Sequence, residues 1–112
     1  MAEPRLATGI WVSAYLQRLS FELIPVYVVA RGDATAGAVL VCLDRLDGTQ
    51  CLYHQSYDLM ADRRVWSVLA DGPVADVVGV ISRARAADPD LWVIEIESAS
   101  GTTLLDAPGL EI

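Results

Sequence analysis

Residues 36–57, AGAVLVCLDRLDGTQCLYHQSY, decide the fold. Ala36 to Arg45 opens as a continuous apolar run, as expected of a strand covered on both faces or lying at a sheet centre. Asp47-Gly48-Thr49 supplies the residue types of a hairpin turn, because Gly48 can take positive φ. Thr49 to Tyr57 then returns as the partner strand. Two registers are open. A two-residue Asp47-Gly48 turn pairs Leu46 with Thr49 and sets Cys42 and Cys51 on one face. A type I turn with a bulge at Gly48 pairs Arg45 with Thr49 and sets them on opposite faces.

Upstream, the spacing of Val12, Leu16, Leu19 and Leu23 predicts a helix from Thr8 to Leu23, with Trp11 and Tyr15 widening its apolar stripe. Thr8 is placed to cap it, and Pro25 pushes Ile24 out of the helical region. Pro25 to Arg31 is β-branched and aromatic, a strand composition, and Arg31-Gly32-Asp33 begins a turn. Downstream, Asp58 to Arg63 forms a polar loop before Val65 to Leu69, a candidate fourth strand. A second helix follows, with Asp71 or Gly72 as cap, Pro73 at its first position and Val74, Val77, Val78, Ile81 and Ala84 as its stripe. Asp88-Pro89 ends it. Leu91 to Ser98 alternates, with Trp92, Ile94 and Ile96 on one face and Glu95 and Glu97 on the other. Ser100-Gly101 turns the chain into a last short strand, Thr102 to Leu105. Hairpin-linked strands with two helices predict an α+β fold: a mainly antiparallel sheet of about five to six strands in one domain, residues 1–112.

The 112 residues are 54% hydrophobic and 21% charged, the profile of a packed globular chain. A net charge of −7, with the acids scattered, repels phosphate backbones and removes a polybasic route to a membrane surface. No nucleic-acid or membrane partner is therefore expected. Met1-Ala2-Glu3-Pro4-Arg5 lacks the apolar core of a signal peptide, so a cytoplasmic setting and free thiols are expected. All 8 basic residues are arginine, and without an amine the chain offers neither Schiff-base catalysis nor a P-loop lysine.

In Trp11-Val12-Ser13-Ala14-Tyr15-Leu16, in the stretch from Arg31-Gly32-Asp33 to Leu40-Val41, in Leu52-Tyr53 and in Asp88-Pro89-Asp90-Leu91-Trp92-Val93-Ile94-Glu95-Ile96-Glu97, the chain resembles a family of small alphaproteobacterial proteins, number 1491 in the domain-of-unknown-function series. The resemblance implies a bacterial cytoplasmic protein. It implies no activity, since the family has none assigned, and no catalytic residue is carried over. Cys42 stands where the family's pattern tends to a basic residue, which argues against shared chemistry at that thiol.

Cys42, Cys51 and His54 are the soft ligands of the sequence, and a carboxylate such as Asp44 would have to complete a zinc site. The apolar setting of Cys42 favours the neutral thiol, and no metal or cofactor is expected. No nucleophile elbow, zinc-protease helix or phosphate loop is present. What remains are carboxylates. Glu95 and Glu97 share a strand face with side chains roughly 7 Å apart, Asp88 and Asp90 flank Pro89, and Arg31 and Asp33 are expected to join these acids in salt bridges. The reading is a non-enzymatic binding module that self-associates as a homodimer, with Arg31, Asp33, Asp90, Glu95 and Glu97 as binding candidates. The same five residues would serve the alternative, a hydrolase or metal-dependent enzyme. Ile10, Phe21 and Ile24, on the side of the first helix away from its stripe, are the interface candidates.

Overall fold

The computed structural model describes residues 6–106. Its elements are α1 (Thr8–Phe21), β1 (Val26–Ala30), β2 (Val39–Asp44), β3 (Thr49–Asp58), β4 (Arg63–Pro73), α2 (Val74–Ala87) and β5 (Trp92–Glu97). The strands form one sheet in the order β1-β5-β2-β3-β4. Every neighbouring pair is antiparallel except β2 and β5, which run parallel. This is the expected α+β fold, with five strands.

The apolar run becomes the central strand β2, buried from Val39 to Leu43. Cys42 pairs with Leu52 and Leu43 with Cys51, so the hairpin takes the register that separates the cysteines. The turn is not type I, because Leu46 joins Gly48 at positive φ. The Asp44 carboxylate accepts a hydrogen bond from the Leu46 amide at 2.8 Å and holds that turn. A short polar side chain two residues back is the usual means of fixing such a bend.

One sheet face packs against α1. Trp11, Val12, Tyr15 and Leu19 close on Val39, Val41, Leu43, Cys51, Trp92, Ile94 and Ile96. The stripe is rotated from the expected one: Trp11 and Tyr15 lie at its centre, stacked with ring centroids 5.0 Å apart, while Leu23 falls outside it. The helix starts one residue earlier than a Thr8 cap requires. Ala7 occupies the cap position without a side-chain bond, and the Thr8 hydroxyl donates instead to the Gly37 carbonyl at 2.8 Å. Carbonyls of Thr35 and Ala34 accept from the Thr8 and Gly9 amides, so a loop satisfies the donors a cap would have covered.

The helix ends at Phe21 in a Schellman arrangement: Ile24 N–H donates to Leu19 C=O, and Leu23 N–H to Ser20 C=O. Leu23 takes the left-handed position usually given to glycine. This turn carries Ile24 back against the core, which corrects its assignment to the exposed face.

The other sheet face packs against α2, where Val77 joins Leu40, Cys42, Leu52, Leu91 and Val93. Three further expectations fail. β4 runs 11 residues, through Asp71 and Gly72, so neither caps α2 and Pro73 takes the cap position. A long β3 partner offers ladder hydrogen bonds along that whole stretch, which outweighs the weak strand propensity of Asp-Gly. Val78 is exposed rather than core. Thr102 to Leu105 is not a strand; Leu105 plugs the α1 face, and the Tyr15 hydroxyl donates to the Thr103 carbonyl at 2.7 Å.

Candidate binding site

Between α2 and the sheet lies a cavity of about 560 Å³. Val78, Ile81, Ser82, Arg85 and Ala86 line it from α2, a run of i, i+3, i+4, i+7 and i+8 positions that places one helical face over the opening. The sheet supplies Val29 and Ala30 from β1, Cys42 from β2, Gln50 from β3, and Val93 and Glu95 from β5. Arg31, Asp88, Pro89 and Leu91 close the end where α2 turns back into β5. Such a volume falls in the range of small-molecule sites, which are mostly apolar with a few placed polar groups.

The polar groups of the floor are Glu95 and Gln50. The Gln50 amide donates to Glu95 Oε1 at 3.2 Å, reaching from β3 across β2 to β5. Gln50 is 4% exposed, and its Oε1 is buried with no hydrogen-bond partner among the described residues. An orphaned buried acceptor costs on the order of 1–3 kcal/mol. Burial lifts the Glu95 carboxyl above its ordinary range, and the neighbouring charges of Asp44 and Glu97 add to the effect, with the Gln50 amide opposing them.

Of the five binding candidates, only Arg31 and Glu95 line this cavity. The Arg31 guanidinium lies 5.3 Å from the Trp92 ring centroid, a cation–π contact. The expected salt-bridge network of Arg31 and Asp33 with the strand acids is not seen among the described residues; Arg45 forms an ion pair with Asp71 instead, at 2.8 Å. The Asp33 carboxylate accepts from the Thr35 and Ala36 amides and fixes the loop under α1. Glu97 accepts from the Tyr27 hydroxyl at 2.9 Å. Asp90 serves through its backbone, whose carbonyl accepts from the Asp33 amide. Glu95 and Glu97 do face away from Trp92, Ile94 and Ile96, but Glu95 lines a cleft rather than an open solvated face.

The sulfur and imidazole candidates are dispersed. Cys42 and Cys51 lie on opposite sheet faces, and burial pushes the Cys42 thiol up to about 12. His54 lines a separate cavity of about 330 Å³ near the start of α1. Among the described residues no group of three or more His, Cys, Asp or Glu side chains is arranged to hold a metal ion.

Gln50, Ser82 and Arg85 were not among the expected site residues. The signal for Gln50 was present, as a lone amide opening the apolar side of the returning strand. Ser82 and Arg85 carry no such mark, since a polar residue on a helix is ordinarily a solvated one.

Residues 6–106 match a family described as protein of unknown function, DUF1491. The chain belongs to that family. A crystal structure of a DUF1491 family protein from Caulobacter crescentus CB15 shares 36% identity, covers 92% of this chain and 95% of its own, and superposes with a TM-score of 0.79. An NMR structure of a DUF1491 family protein from the same organism gives 35% identity, coverage of 90% and 93%, and a TM-score of 0.76. A solution structure of an A. tumefaciens protein gives 28%, 90% and 92%, and 0.73. None of the curated proteins matches the chain. The DUF1491 fold is therefore shared across these relatives, and the resemblance read from the sequence holds over most of the chain.

Proposed function

We propose that this DUF1491 protein acts by binding a small molecule in the cleft between α2 and the sheet, without chemical turnover. The cleft itself carries the reading: about 560 Å³, walled by a continuous helical face and floored by a buried amide and carboxylate. Groups that would do chemistry do not converge there: of the cysteines only Cys42 lines the cleft, and burial raises its thiol. The cysteines face opposite sides, His54 lies at another cavity, and the carboxylates of Asp33 and Glu97 are engaged by the loop amides and by Tyr27. The test is amide NMR against a set of soluble small molecules. Ligands of this cleft will shift resonances of Val78, Ile81, Val93 and Glu95 together. Ser82→Trp, which fills the opening from an exposed helical position, will abolish those shifts while leaving the fold intact. Shifts that survive Ser82→Trp, or that cluster elsewhere, would reject the cleft as the site.

Self-association is a second reading, and a specific feature favours it. Phe21 is 75% exposed and Leu23 is 89% exposed, and Leu23 also holds a left-handed backbone position. Strained non-glycine residues at a surface often mark functional positions. Ile10, 59% exposed, lies on the same side of α1 as Phe21.

A further inference from the structure

We infer that the cleft recognises an organic ammonium, its N–H donors directed at Glu95 and Gln50 and its apolar body lying along α2. The inference rests on the binding reading above and names the class of ligand that reading leaves open.

The floor is rich in acceptors and short of donors. Gln50 donates an amide hydrogen to Glu95, and its own oxygen receives nothing among the described residues. Glu95 has no cation partner among the described residues, and Asp44 and Glu97 stand on the same sheet face. An anion brought to the floor would meet the Glu95 carboxylate, with the charges of Asp44 and Glu97 adding to the repulsion, while the cations of the lining, Arg31 and Arg85, stand away from it at the helix end. A neutral apolar molecule would leave the buried acceptor unsatisfied. A group carrying positive charge and several N–H donors answers both conditions, since it offers one hydrogen to the carboxylate and another to the amide oxygen.

The walls decide between an organic and an inorganic cation. Calcium takes six to eight oxygen ligands and magnesium an octahedral set, whereas one carboxylate and one amide oxygen make up this floor, and Val78, Ile81, Leu91 and Val93 surround it. Apolar walls reward an alkyl or ring-bearing body of several carbons. The helical face from Val78 to Arg85 gives that body roughly 10 Å of length. Arg85, which forms no ion pair among the described residues, stands at the far end.

Titration calorimetry with n-hexylammonium, 1-hexanol and hexanoate, on the full chain and on Glu95→Gln, tests this directly. The expected result is saturable binding of n-hexylammonium at least tenfold tighter than either other probe, and at least a tenfold loss in Glu95→Gln. Amide NMR of Glu95→Gln checks that the variant keeps its fold. Equal binding of the ammonium and the alcohol would reduce the cleft to an apolar pocket and overturn the ammonium assignment. Preference for hexanoate would shift recognition to the Arg31 and Arg85 end and overturn it as well. Absence of n-hexylammonium binding would overturn it while leaving small-molecule binding in the cleft to stand on the NMR result.

Discussion

Glu95 shows how much one carboxylate's surroundings decide. Its neighbours on the sheet face are Asp44 from β2, Glu97 from its own strand and Gln50 from β3; only Gln50 favours its charge. A raised carboxyl pKa means that the folded chain holds its proton more tightly than the unfolded chain does. The charge therefore costs nothing below the ordinary value of 4.5, and the cost grows as pH climbs through the raised value. Glu95→Gln removes that cost and keeps a carbonyl to accept from Gln50. The variant will melt above the parent at neutral pH, and the two melting curves will converge below about pH 4.5. A gap independent of pH would show that burial and repulsion do not act on this carboxyl. The alternation of Leu91 to Ser98 placed Glu95 on the correct sheet face. What it could not give was the helix alongside, because the angle at which α2 crosses the sheet depends on the connection from β4.

Among the elements, those with strong local periodicity were readable and those held by partners were not. β2 and β5 declare themselves through unbroken apolar runs or strict alternation. β4 does not, because Asp71-Gly72 reads as a helix cap until β3 is present to pair with it. The end of α1 is a similar case: Leu23 continues the helical stripe in sequence, yet the Schellman bonds to Leu19 and Ser20 take the chain away first. Glycines separate these influences. A Cβ on Gly32 would strike the Asp90 carbonyl oxygen and come within 2.7 Å of the Leu91 carbonyl carbon and Trp92 Cδ1, where the loop before β2 crosses the start of β5. Gly32→Ala will therefore destabilise by about 1–3 kcal/mol, as overpacking does. Gly79 lies within α2, and its nearest neighbour would be the flexible tip of Arg83 at 3.4 Å. Gly79→Ala will stabilise by up to about 1 kcal/mol through helix propensity. Chemical denaturation of the pair checks both signs, and equal effects would show that the crossing at Gly32 is not a tight one.

At the scale of the whole molecule, two sheet faces are each covered by one helix, and the outer surface of α1 is left with an apolar side. Ile10 and Phe21 are separated by 11 residues, roughly 16 Å along the axis, and point the same way. Leu23 extends this side beyond the helix end. The position of Phe21 was legible from its place opposite the stripe, whereas Ile24 was misplaced because the turn after Phe21 reverses the chain. A symmetric dimer would cover the patch with a second copy of itself, the commonest closed arrangement. Two substitutions test this without touching the core. Phe21→Ser removes an exposed ring. Leu23→Gly removes an exposed leucine and also relieves a left-handed residue, which alone stabilises the fold by about 1 kcal/mol. Light scattering will find the parent dimeric at micromolar concentration and both variants monomeric. Thermal melting at dilutions where every form is monomeric will find Phe21→Ser unchanged and Leu23→Gly higher. The two readouts thus move in opposite directions for Leu23→Gly, a pattern that general damage to α1 cannot produce. A parent that stays monomeric, or variants that stay dimeric, would remove α1 from the association surface.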